Sequence, residues 1–128
     1  AQYRASFHAS ACLRIAKGLV VSKIANQRTL LRRNWKEGEA PEQLLDGFRF
    51  DIDQARRARA IPELLGVEGN AAARYFGHFR HAIRQPDGDA AMAFDFNRRN
   101  RRPPADAVNA LLSFAYAMLA RTWTVTLS

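Results

Sequence analysis

The chain has 128 residues, 48% of them hydrophobic and 25% charged, which excludes wholesale disorder and sets an upper limit of one domain with a real core. Twenty basic against 12 acidic residues give a net charge of +8, and all but Lys17, Lys23 and Lys36 of the basic residues are arginine, whose planar fork pairs with phosphate or carboxylate. Cys12 stands alone and excludes an internal disulfide, and neither a secretory leader nor an apolar run near the roughly 18 residues that cross a bilayer is expected; the chain reads as cytoplasmic, with no membrane partner.

Four helical segments follow in order. The first spans about Ser10 to Arg33, with Leu13, Ala16, Val20, Ile24 and Gln27 or Leu31 along one narrow face. Pro41 opens the second at its first-turn position, and Leu44, Leu45, Phe48, Ile52 and Ala55 form its stripe. Positive charge from Arg56, Arg57 and Arg59 closes it, as suits a helix C-terminus.

The third helix starts near Pro62, and the turn residues Gln85-Pro-Asp-Gly-Asp89 stop it. Residues 90–103 form an irregular connection with Phe94, Phe96 and the run Asn97-Arg-Arg-Asn-Arg-Arg102. Pro103 and Pro104 then introduce a fourth helix with Asp106 in its first turn. Val108, Leu111, Leu112, Ala115 and Leu119 cover one of its sides and Phe114, Ala117, Met118 and Val125 others, which makes it the expected central helix. With no convincing strand pair or repeat, the expected fold is all-α, a bundle of about four main helices.

Glu68 sits within a stripe of Ile61, Leu65, Ala72, Phe76, Phe79 and Ile83 on the third helix. An unpaired buried carboxylate costs several kcal/mol as an order of magnitude, so it needs a cation, either an arginine or a metal. Gly66 and Gly69 flank it, each costing about 1 kcal/mol against Ala within a helix, and close approach by a neighbouring helix or by a ligand phosphate is the compensation expected. Helix packing is the first explanation of the two glycines and phosphate approach the second.

Arg98, Arg99, Arg101 and Arg102 form a basic cluster suited to a DNA backbone, with sequence-independent, salt-sensitive affinity. The alternative is a solvated turn in which one arginine pairs with Glu68. Asn109, Ser113 and Tyr116 make a polar ridge at i, i+4 and i+7 on the fourth helix. His8, His78 and His81 show no metal-ligand spacing with one another, and no nucleophile elbow, phosphate-binding loop or zinc spacing is present.

Gly66-Val-Glu-Gly-Asn-Ala-Ala-Ala-Arg-Tyr-Phe76, together with the segment from Asn97 to Tyr116 that carries Arg-Arg-Pro-Pro and Asn-Ala-Leu-Leu-Ser-Phe-Ala-Tyr, resembles the C-terminal helical domain of the CRISPR-associated adaptation integrases, the Cas-one family. Lys23-Ile-Ala-Asn-Gln-Arg-Thr-Leu-Leu-Arg32 looks like that family's first domain helix. The resemblance implies a metal-dependent DNA endonuclease and integrase that inserts spacers into a CRISPR array. It would use Mg or Mn held by a Glu, a His and an Asp, and would work as a dimer bridged by a small Cas-two partner. Glu68 matches the family's glutamate, Arg98 and Arg102 would hold phosphate, and Asn109, Ser113 and Tyr116 would support the metal or the DNA strand end, with core packing the alternative for Tyr116.

On the same resemblance, residues 1–128 correspond to a partial helical domain. The His and Asp would lie beyond Ser128 and the family's β domain would lie before Ala1, so this chain alone is expected to be inactive and to bind no metal firmly. Glu68 is then expected to pair with a nearby arginine or water, and the exposed core edges are expected to pair with a second copy as a homodimer. The competing reading is a basic all-helical module for DNA binding or protein interaction, without catalysis.

Overall fold

The computed structural model describes residues 8–84, 96–100 and 103–127. They contain α1 (Ala9–Asn34), α2 (Glu42–Arg57), α3 (Ile61–His78) continued by a 3-10 turn at Phe79–Ala82, and α4 (Ala107–Leu127). There is no strand among the described residues. The chain falls into two compact units, one ending at Ala82 and the other starting at Ile83.

In the first unit α1 and α3 run parallel, with α2 antiparallel to both. Three contacts fix this register: Lys17 Nζ donates to the carbonyl of Arg56 at the end of α2 (3.1 Å), Lys23 meets Glu68, and Lys36 N–H donates to the carbonyl of His81 (3.0 Å). The core between the three helices is built from Ile24, Leu31, Phe48, Ala55, Leu64, Ala71 and Tyr75, all buried. Small Ala55, Ala58 and Ala71 share this core with large Phe48 and Tyr75.

Local chemistry sets the helix limits. Pro41 is the N-cap of α2 rather than its first helical residue; its carbonyl accepts from Leu44 and Leu45 N–H at 3.0 and 3.2 Å. Glu63, in the first turn of α3, reaches back to accept the N–H of Arg59, the residue before the N-cap Ala60, at 2.6 Å, which fixes the entry of the chain into the helix. Between α1 and α2, Gly38 adopts φ +92°, a left-handed conformation that disfavours any residue with a Cβ.

The face of α3 is turned by about one residue from the sequence expectation. Leu64, Ala71 and Tyr75 point into the core, while Ile61 and Leu65 are exposed. Both sets keep helical spacing on a helix with apolar groups nearly all round, so periodicity alone did not choose between them. The turn of α3 puts Glu68 on the flank facing α1 instead of in the core. The expected stop at residues 85–89 lies outside the described residues, as does Phe94.

In the second unit α4 starts one residue beyond Asp106, which caps it instead of lying in its first turn: Asp106 Oδ1 accepts the N–H of Asn109 at 2.7 Å. Only Val108 and Asn109 of α4 are buried, while Leu111, Phe114, Leu119 and Trp123 are more than half exposed. The burial expected of a central helix is therefore absent among the described residues. At 21 residues α4 is by length and composition apolar enough to cross a membrane, which corrects only the expectation that no apolar run comes near that length. Asn109, Ser113 and Arg121 interrupt that run.

Candidate functional site

Glu68 lies on the shoulder of α3, its side chain 27% exposed, and its Oε1 accepts from the ammonium of Lys23 on α1. The cation expected for this carboxylate is thus a lysine and not an arginine. The reason is placement: α1 and α3 run side by side, which brings position 23 level with position 68. An exposed carboxylate also needs less compensation than a buried one, so a single partly exposed ion pair suffices.

A Cβ added to Gly66 or Gly69 would meet nothing within 4 Å. The glycines therefore do not accommodate a neighbouring helix among the described residues, contrary to the first explanation. They leave the outer side of α3 beside Glu68 open. The chemistry of Glu68, a hard oxygen donor reachable from solvent, fits one ligand of a Mg or Mn ion. No group of three or more His, Cys, Asp and Glu able to hold a metal occurs among the described residues, so Glu68 supplies a single donor where such an ion takes about six.

Further along α3, the three histidine-related contacts are structural. His81 stacks on Trp35 at 4.5 Å between centroids and its Nδ1 lies 3.1 Å from Glu37 Oε2. His78 Nδ1 donates to the carbonyl of Arg74 at 2.9 Å. His8 is the N-cap position of α1.

The second unit holds the polar ridge. Asn109 is fully buried and uses its whole amide: Nδ2 donates to the carbonyl of Arg98 (2.9 Å) and to Asp106 Oδ2 (2.7 Å), while Oδ1 accepts from Arg99 (2.8 Å) and from the N–H of Asn100 (3.0 Å). The residues from Arg98 to Asn100 are thereby strapped to the start of α4. Arg99 also donates to Ser113 Oγ at 3.2 Å and lies 5.8 Å from the Tyr116 ring centroid. Asn109, Ser113 and Tyr116 thus act together as a seat for one arginine.

Arg99 is committed to this seat, and Arg98 beside it is exposed. Arg101 and Arg102 lie outside the described residues. The sequence exposed both halves of the network, the arginine run and the i, i+4, i+7 ridge, but not their connection, because the strap brings together residues ten and fourteen positions apart. Lys23 was missed as a partner of Glu68. Its signal was a cation next to Ile24 at the edge of the α1 stripe.

The profile of the family described as CRISPR associated protein Cas1 matches residues 1–128. A CRISPR-associated exonuclease Cas4/endonuclease Cas1 fusion of Geobacter sulfurreducens is 54% identical over 99% of the chain, which spans 23% of that protein. CRISPR-associated endonuclease Cas1 2 of Rhodospirillum rubrum is 42% identical over 93% of the chain, spanning 36% of the relative. CRISPR-associated endonuclease Cas1 of Leptospira interrogans is 34% identical, again over 93% of the chain, and 48% of it is spanned. The chain thus covers between about a quarter and a half of the length of these three relatives.

Proposed function

The chain belongs to the Cas1 family of CRISPR-associated proteins, and on that premise we propose that it is the helical part of a metal-dependent DNA endonuclease and integrase for CRISPR spacer acquisition. The single observation that carries this reading is the family match along the whole of residues 1–128, Glu68 included. The activity is that of a longer protein working on cytoplasmic DNA. Its partners are DNA, a small Cas-two protein and a second copy of itself.

Each residue then has a task. Glu68 is one carboxylate ligand of Mg or Mn, and the remaining ligands, a His and an Asp, come from outside these 128 residues. When bound, the ion stabilises negative charge on the oxygens of the phosphodiester under attack by a DNA 3′-hydroxyl. Arg98, Arg101 and Arg102 hold the DNA backbone, a sequence-independent and salt-sensitive contact. Asn109, Ser113 and Tyr116 act indirectly by fixing Arg99 and the strap, which in turn orients Arg98 outward.

Strand transfer by the whole protein into a repeat-containing DNA tests the proposal, with Glu68→Ala expected to abolish product while DNA binding persists. The 128-residue chain incubated with branched DNA and Mn is expected to give no transfer above its own Glu68→Ala control. The Lys23 pairing favours a second reading, a basic DNA-binding module in which Glu68 is only an ion-pair partner. That reading expects the whole protein to retain strand transfer after Glu68→Ala.

A further inference from the structure

Lys23 and Glu68 are 45 residues apart in sequence and meet across the seam between α1 and α3. Both remain accessible, with side chains 45% and 27% exposed. One turn before them on each helix, Leu19 and Leu65 are exposed and apolar, and Gly66 and Gly69 leave the outer side of α3 clear. The ammonium therefore holds the carboxylate at the rim of an open surface, where an incoming ligand reaches both groups.

Oε1 cannot serve the ammonium and a divalent cation together without placing two positive charges within a few ångströms of each other. An exposed pair of this kind biases an equilibrium by only about 1.5- to 5-fold, so a divalent ion with further ligands displaces it. The freed ammonium sits on a flexible four-carbon stem and binds phosphate as a point charge.

We propose that Lys23 is the positioning residue of Glu68: it holds the carboxylate in the metal-free protein, yields it to a divalent cation, and then turns to a phosphate of bound DNA. This rests on the proposed role of Glu68 as a metal ligand. No covalent bond changes in the exchange: the divalent cation takes the place of the ammonium at the carboxylate, a phosphate takes the place of the carboxylate at the ammonium, and the remaining positive charge of the ion is left for its further ligands.

The test uses the whole protein that carries this segment, with Mn as the probe and free Mn followed by electron paramagnetic resonance. Lys23→Met is expected to tighten Mn binding by about two- to five-fold, and Lys23→Arg to stay within about two-fold of the parent. A Lys23/Glu68 double-mutant cycle on unfolding is expected to show coupling in chelator and none at saturating Mn. In the presence of Mn, Lys23→Met is expected to lower the slope of log affinity for DNA against log salt by about 1. Unchanged or weaker Mn binding in Lys23→Met, with Glu68→Gln still abolishing it, overturns the displacement alone. Unchanged Mn binding in Glu68→Gln overturns the metal role of Glu68 and the displacement with it.

Discussion

Arg74 on α3 grips Asp51 on α2 through two hydrogen bonds, Nε to Oδ2 at 3.0 Å and a terminal nitrogen to Oδ1 at 3.4 Å, with its guanidinium 5.9 Å from the Phe48 ring centroid. The Asp51 side chain is 6% exposed and that of Arg74 32%. Removing the carboxylate strands a half-buried cation over the core. Asp51→Ala is expected to cost about 2 to 4 kcal/mol, less than for a fully buried pair because water reaches Arg74. Urea unfolding, read as a lower midpoint at unchanged slope, checks this.

Gly47 makes room for that grip. A Cβ there would lie 2.6 Å from a terminal nitrogen of Arg74 and 2.7 Å from its Cζ. The obstacle is the end of a flexible side chain, so Gly47→Ala moves the guanidinium instead of unfolding the helix. The gain of about 1 kcal/mol in helix propensity is then outweighed by the weakened ion pair, for a net loss of about 1 kcal/mol. In an Asp51→Asn background the sign reverses and Gly47→Ala stabilises. Thermal unfolding of the four variants in one cycle decides it.

Much of this architecture was legible in the sequence because α1 and α2 have one apolar face each. Ile24, Gln27 and Leu31, and Leu44, Leu45, Phe48 and Ala55, all lie where their spacing put them. On α3, Leu64 and Leu65 compete for the same role, and only packing against α1 and α2 selects Leu64. The candidate site was legible as residue types and not as pairings. Glu68 was found through the cost of an isolated carboxylate, but its lysine partner depends on the parallel register of two helices. The Asn109 seat depends on a strap that no periodicity describes.

Gln27 lies on the core face of α1, 8% exposed, and its Oε1 has no hydrogen-bond partner among the described residues. A buried acceptor without a donor loses hydration with nothing in return. Gln27→Met keeps the length and removes the amide, the unpartnered Oε1 with it, and is expected to raise stability by about 1 kcal/mol. The midpoint of chemical unfolding should move up.

Asn109 is the keystone of the second unit. Asn109→Ala would leave the carbonyl of Arg98 and the N–H of Asn100 without their partner, at about 1 to 3 kcal/mol for each group that stays buried. The consequence is local: hydrogen exchange at Asn100 is expected to accelerate at least about tenfold, the equivalent of about 1.4 kcal/mol of lost protection. Exchange at Leu31 and Phe48, in the three-helix core, is expected to stay unchanged. Ser113→Ala removes one of several acceptors for Arg99 and is expected to have the smaller effect.

Arg98 and Arg99 are neighbours with opposite commitments, and DNA binding should separate them. Arg98 is exposed and has its backbone carbonyl anchored to Asn109, so its guanidinium is free to face a phosphate without altering the strap. Arg98→Ala is expected to weaken DNA binding equally across sequences and to reduce the slope of log affinity against log salt by about 1, with unfolding unchanged. Arg99 fills the seat of Asn109, Ser113 and Tyr116. Arg99→Ala should therefore lower stability first, and Arg99→Lys should not restore it, because an ammonium cannot reproduce the planar fork between Asn109 and Ser113. Equal effects of the two alanine variants on stability and on the salt slope would contradict this division.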